Sequence, residues 1–200
     1  SLKEEILIIV TPSEVRAALV EYGVLQVVYI ERAARRGLIS NIYKGRVLRV
    51  LPGMQAAFID IGLERTAFLH ASDIARRGAP ENGDEIPAIR DLVREGDEIM
   101  VQVAKDPLGN KGARLTTYIT LPSRHLVLLP HGETVGISAR IEDEEERERL
   151  RAVVAELLDE NELECGAIVR TVAEGTGKEA LAADLRYLMK LWGVVQQRCS

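Results

Sequence analysis

The chain has 200 residues, 46% of them hydrophobic and 28% charged, with a formal net charge of −5. That is enough apolar material for one large or two small cores, and two compact units are expected because domains usually run to about 100–150 residues. No apolar run approaches the roughly 20 residues that cross a bilayer, and Ser1 opens into a charged segment without a signal-peptide pattern, which predicts a soluble, cytoplasmic protein with no membrane partner.

In chain order, residues 4–31 read as a β-meander of three short strands, 6–10, 16–20 and 24–30. They are separated by Thr11-Pro12-Ser13-Glu14 and by Glu21-Tyr22-Gly23. A basic connector with Arg32, Arg35 and Arg36 follows and ends at Gly37, which marks a boundary. From Asn41 strands resume at 43–51, 54–61 after the Pro52-Gly53 turn, 67–69, 98–104 and 114–119. Five short strands with Gly and Pro turns predict a closed barrel.

Beyond Pro122, strands at 124–129 and 167–171 flank a helix over 142–158, with Leu150, Val153, Val154, Leu157 and Leu158 on one stripe. Its acid-rich start suits the helix dipole. A second helix is expected to begin at Thr176, which stands at capping-box spacing from Glu179, and to run through Leu181, Leu185, Leu188, Trp192 and Val195. The expected class is α+β. Cys165 and Cys199 have no C-x-x-C spacing and no neighbouring His, so they read as ordinary thiols and not as a disulfide framework or a zinc site.

The acidic balance argues at first against a nucleic-acid partner, whose phosphates supply much of the affinity. Residues 141–165, however, hold 11 acidic and 3 basic side chains, a local net of −8 that leaves +3 for the remainder. Segregated charge of this kind steers a polyanion to one face. Unstacked bases gain about 1–3 kcal/mol each on aromatic faces, and the backbone favours a cationic groove beside them. Phe58 and Phe68 are the only phenylalanines, and both fall in expected barrel strands. Lys44 and His70 lie close to them in sequence, and Lys111 sits in the Gly109-Asn110-Lys111-Gly112 loop. The competing readings are core packing for the phenylalanines and a solvated charge for Lys111.

Four blocks in order are similar to the S1-type barrel, a branch of the oligonucleotide-binding fold. They are Tyr43-Lys44-Gly45-Arg46-Val47, Ala57-Phe58-Ile59-Asp60-Ile61-Gly62, Ala67-Phe68-Leu69-His70-Ala71-Ser72-Asp73-Ile74 and Glu95-Gly96-Asp97-Glu98-Ile99-Met100-Val101. Together with Asn41-Ile42, Gln55-Ala56, the stretch from Gly109 to Thr117 and Ile168-Val169-Arg170-Thr171, they resemble the amino-terminal half of the ribonuclease E/G family, nearer its G branch.

The resemblance implies a partial ribonuclease-H-like subdomain over residues 1–36, an S1 barrel over 37–118 that contacts RNA through Lys44, Phe58, Phe68, His70 and Lys111, and a mixed α/β sensor of the RNA 5′ end over 119–200. In the family that sensor grips a 5′-monophosphate. The matching residues are Arg170 and Thr171, with Arg140 nearby and Val127 against the terminal base. A guanidinium fork and a hydroxyl suit a phosphate dianion; the rival reading pairs Arg170 with a nearby carboxylate. Two departures fall in the pocket: Ser123 stands where the E branch has glycine, and Ala139 where it has arginine.

The resemblance further implies a parent endoribonuclease that cuts single-stranded RNA in ribosomal RNA processing and messenger RNA decay, using Mg²⁺ held in a D-x-N motif, with a cysteine-pair Zn²⁺ link in a homo-oligomer. No closely spaced cysteine pair occurs here, and Asp60, Asp73 and Asp97 have no spacing that converges on one cation. No catalytic residue, metal or cofactor is therefore expected in these 200 residues. The alternatives are a free-standing S1-type RNA-binding protein without nuclease activity and an assembly domain whose barrel binds protein.

Overall fold

The computed structural model of the chain describes Ile6–Leu7 and residues 40–76, 85–107 and 111–200. Of the expected N-terminal meander only β1 (Ile6–Leu7) falls within them, paired antiparallel to the next strand. The remainder of the meander and the basic connector lie outside the described residues.

The first sheet adds β2 (Ile42–Leu51), β3 (Ala56–Asp60), β4 (Ala67–His70), β5 (Glu98–Lys105) and β6 (Arg114–Thr116). Its order is β1-β2-β3-β4-β6-β5, and a further β2–β5 pairing closes the last five into a barrel. Closure removes the sheet edges, which is why such short strands persist. β2 makes closure possible. Its first half, from Ile42 to Arg46, pairs with β5, and its second half, from Arg46 to Leu51, pairs with β3. A register shift between Val47 and Arg49 inserts Leu48 as an extra residue and bends the strand.

Val47, Ile59, Leu69, Val101, Val103 and Leu115 fill the interior at 0–1% exposure. Gly45 also faces inward, and a Cβ there would stand 2.5 Å from the Ile59 side chain. A one-turn helix, α1 (Ile89–Leu92), places Ile89 in the same core; it was not evident from the sequence because a single turn carries no periodicity.

A second sheet has the order β7-β8-β10-β9, from β7 (Leu121–Pro122), β8 (Leu126–Leu129), β9 (Val135–Ile137) and β10 (Gly166–Val169). β8 and β10 are antiparallel, whereas β9 and β10 are parallel. A parallel pair needs a crossover, and α2 (Glu144–Glu160) supplies it. The helix starts two residues later than the periodicity predicts, because Asp143 acts as its N-cap and accepts from the Glu145 amide at 3.1 Å.

α3 (Lys178–Cys199) corrects the second expected helix start. Gly177 is its N-cap with no side-chain cap bond. The Thr176 hydroxyl donates instead to the Ala173 carbonyl at 2.6 Å, so no capping box forms. Leu150, Val154, Leu157 and Leu158 of α2 and Leu181, Leu185, Leu188 and Val195 of α3 join Leu126, Leu128, Ala167 and Val169 of the sheet in one core. Val127 and Ile168, at alternate positions, belong to the sheet's other face. Among the described residues no helix is long and apolar enough to cross a membrane.

Barrel and helix-backed sheet are joined through shared residues. Ile42 and Met100 of the barrel strands pack into the second core. Buried Gln102 donates to the Ser40 and Thr120 carbonyls at 3.2 and 3.1 Å and accepts from the Thr120 amide at 2.9 Å. In the first turn of α2, Glu146 binds Arg149 and accepts from the Gly175 amide at 2.5 Å, pinning the turn before α3.

Two measurements check this packing. Leu150 is fully buried, so Leu150→Ala is expected to lower stability by about 2–5 kcal/mol in chemical denaturation. The hydrogen bond from Arg149, followed by that from the Gly175 amide, lowers the Glu146 carboxyl from its ordinary 4.5 to about 2. A depressed folded-state value stabilises above the unfolded one and is lost as pH falls. Glu146→Gln should therefore cost about 1 kcal/mol at neutral pH, the scale of a solvent-accessible ion pair. That difference from the parent chain should shrink as pH drops from about 4.5 towards 2.

Candidate nucleic-acid interface

Strand alternation decides which side chains the barrel turns outward. Ala57 and Ile59 point into the core, so Phe58 between them points out and is 37% exposed. Ala67 and Leu69 do the same for Phe68, which is half-buried. Phe58 and Phe68 are direct cross-strand partners. Phe58 also faces Arg49 across β2–β3, and Phe68 faces Arg114 across β4–β6. Four strands therefore carry one row in the order Arg49, Phe58, Phe68, Arg114: two rings flanked by guanidinium groups. The core-packing alternative fails for Phe58, whose ring belongs to the outer surface.

Arg114 is held in place by Asp73, whose Oδ2 accepts from Nε at 3.1 Å and from Nη2 at 3.0 Å. His70 lies two residues beyond Phe68, on the same face. Its Nδ1 accepts from the Ser72 amide at 3.1 Å and lies 2.8 Å from the Ser72 hydroxyl, which places the proton of the neutral ring on Nε2. Lys111 is exposed just ahead of β6. Gly112 beside it has no alternative, since a Cβ would lie 1.8 Å from the Thr66 carbonyl oxygen.

Lys44 is placed differently. It lies on the half of β2 paired with β5, where its ammonium sits 3.1 Å from Glu98. The Lys44 hydrogen bond, with Arg46 adding to it, holds the Glu98 carboxyl below its ordinary value. The cation beside Phe58 is Arg49. Sequence reasoning missed it because the bulge at Leu48 shifts the inward-outward alternation by one residue.

The second cluster stands where the parallel strands β9 and β10 end. Arg170 and Thr171 follow β10, and Ser138, Ala139 and Arg140 follow β9. The Thr171 and Ser138 hydroxyls are 2.7 Å apart, and the Arg140 amide donates to the Ser138 hydroxyl at 3.3 Å. Arg147 of α2 donates to the Ser138 carbonyl at 2.7 Å and fixes that corner. Arg170 donates from Nη1 to the Ser123 carbonyl at 2.6 Å and lies two residues from Ile168, the cross-strand partner of Val127. The fold thus gathers Val127, Arg170 and Thr171 at one end of the sheet, with Arg140 exposed beside them.

The two departures from the family pattern have structural explanations. The Ser123 hydroxyl turns inward onto Asp184 at 2.8 Å, leaving its carbonyl for Arg170. Ala139 is exposed and leaves the polar contacts to its neighbours. Asp60, Asp73 and Asp97 have local roles: Asp60 accepts from the Gly62 amide, Asp73 binds Arg114, and Asp97 accepts from the Arg94 amide. Among the described residues no three His, Cys, Asp or Glu side chains form a group that could hold a metal ion. The Mg²⁺ and Zn²⁺ that the resemblance implies therefore have no ligand set among them, and no chemical step follows through either.

Comparison with known proteins covers both units. Residues 39–117 match the model of the S1 RNA binding domain, and residues 120–200 that of the Ribonuclease E/G family. Ribonuclease G of Salmonella typhimurium (strain SL1344) is 58% identical over 199 residues, covering 97% of this chain and 40% of that protein. Ribonuclease G of Haemophilus influenzae is 55% identical over 201 residues, 98% of this chain and 40% of its own length. Ribonuclease E of Escherichia coli (strain K12) is 41% identical over 187 residues, 92% of this chain and 17% of its own. The chain thus spans about 40% of the length of the ribonuclease G relatives it matches. With a closed S1-type barrel, a helix-backed sheet that matches the Ribonuclease E/G family model and this extent of identity, the chain is similar along nearly its whole length to about 40% of ribonuclease G.

Proposed function

We propose that this chain is the substrate-capturing part of a single-strand-specific endoribonuclease. In this reading the barrel row stacks unpaired bases, and the cluster at the ends of β9 and β10 receives a 5′-monophosphate. The observation that carries it is the row Arg49, Phe58, Phe68, Arg114. A base finds a π-face there, and the flanking guanidinium groups suit the backbone. His70 and Lys111 extend the same surface, while Lys44, tied to Glu98, acts at its margin.

At the second cluster Arg170 and Arg140 supply charge, Thr171 a hydroxyl, and Val127 the apolar floor for the terminal base. The parent protein hydrolyses RNA with Mg²⁺ outside the residues described, and forms a homo-oligomer, with Zn²⁺ at its interface, that works in the cytoplasm on ribosomal and messenger RNA. The 200-residue chain alone binds RNA and leaves it uncut.

The test is affinity for a short single-stranded RNA bearing a 5′-monophosphate or a 5′-hydroxyl, at fixed salt, with Mg²⁺ present. The monophosphate should bind more tightly, and Arg170→Ala should abolish that preference while leaving the hydroxyl RNA unaffected. Phe58→Ala should weaken both RNAs alike, by roughly 5- to 150-fold, the equivalent of one lost stacking contact. Equal affinity of the unaltered chain for both RNAs ends the sensor reading. An unaffected Phe58→Ala variant ends the barrel-face reading, and Mg²⁺-dependent cleavage ends the capture-only reading.

A further inference from the structure

Asp184 lies early in α3, with its carboxylate turned onto the segment between β7 and β8. One of its oxygens, Oδ2, accepts from the Ser123 hydroxyl at 2.8 Å and from the His125 amide at 2.6 Å, and stands 3.2 Å from His125 Nδ1. Its side chain is 16% exposed and that of His125 11%. All of these groups belong to the turn joining β7 to β8, so a single carboxylate on the backing helix holds that turn. The same turn presents the Ser123 carbonyl to Arg170 Nη1 at 2.6 Å, while the Arg170 amide donates to the His125 carbonyl at 2.8 Å.

A guanidinium is planar and rigid, so anchoring one N–H on a carbonyl fixes where the rest of the fork points. The carbonyl's own place is fixed by Asp184. We infer that Asp184 is a positioning residue for anion recognition at Arg170, acting through the Ser123–His125 turn and touching no RNA itself. The inference rests on the proposed 5′-phosphate reading and deepens it. The turn has its own hydrogen bond as well, from the Ser123 amide to the Leu126 carbonyl at 2.7 Å, and the Ser123 hydroxyl, whose one proton serves Asp184, lies 3.0 Å from that carbonyl and can turn to it when the carboxylate is removed. Removing the carboxylate therefore loosens the turn without deleting it.

The experiment uses Asp184→Ala and Asp184→Asn in the full chain, with two readouts. The first is the ratio of affinities for 5′-monophosphate and 5′-hydroxyl RNA. Asp184→Ala should cut it about tenfold, the usual scale for losing a supporting outer partner, with the hydroxyl RNA unaffected; Asp184→Asn, which retains an acceptor of the same shape, should recover part of it. A merely structural role would weaken both RNAs together and leave the ratio intact, which would overturn the inference. The second readout needs no RNA: slowed guanidinium rotation of Arg170 in nitrogen-15 NMR should be present in the unaltered chain and lost in Asp184→Ala. If the unaltered chain shows no phosphate preference, the sensor reading fails, and the NMR result alone decides the positioning: loss of the anchored signal upholds it, and an unchanged signal overturns it.

Discussion

The barrel exists because one strand is hydrogen-bonded along both edges. β2 pairs with β5 up to Arg46 and with β3 beyond it, which an unbent strand of 10 residues cannot do while curling round a core of this width. The extra residue at Leu48 supplies the bend and Gly45 the clearance from Ile59. The same insertion decides what lies on the surface. Val47 stays inside opposite Ile59, and Arg49, instead of residue 48, comes to stand outside beside Phe58. Closure of the core and the cation at the aromatic row are thus two results of one irregularity.

Charge segregation has an equally local explanation. The acidic run that gives the chain its negative balance is largely the solvent face of α2, and much of it is answered at short range. Glu146 binds Arg149, Glu148 binds Arg151, and Glu156 and Glu160 share Lys178. Such pairs contribute little stability each, but they confine the negative potential to one side. Screening over about 8–10 Å at physiological salt limits its reach further. A formal charge of −5 is therefore compatible with surfaces on which guanidinium groups set the local field.

How much of this was legible in the sequence follows from the kind of signal each element leaves. The five barrel strands and both long helices announce themselves through alternation and the helical stripe. β9 does not, because three residues with a central glycine carry no period, yet its parallel pairing creates the corner where Ser138 meets Thr171. Phe58 lies within the run Ala57-Phe58-Ile59, which reads equally as a buried strand; only barrel closure settles its direction. Thr176 shows how local spacing can mislead, since the helix takes Gly177 as its N-cap, one residue later, and leaves the Thr176 hydroxyl to donate to the Ala173 carbonyl. Asp184 could not have been found at all, as it stands 61 positions from Ser123 and looks like any polar residue on an amphipathic helix.

The two candidate surfaces draw on different physics, and the link between them is correspondingly stiff. Stacking of bases on aromatic rings, the physics available to Phe58 and Phe68, is tolerant of base identity and position. Phosphate recognition by a guanidinium fork is directional and fails when the donors are displaced by a fraction of an ångström. A tolerant site and an exacting one can engage a single strand only if their separation is set by the fold and not by a flexible linker. Gln102 meets that requirement: a barrel side chain satisfied by the Thr120 amide and the carbonyls of Ser40 and Thr120, on a strand whose neighbour Met100 is packed into the second core. A buried amide with both ends bonded tolerates little sliding, because each lost partner leaves a desolvated polar group. The spacing between the aromatic row and the Arg170 cluster is thus fixed by the join between barrel and sheet.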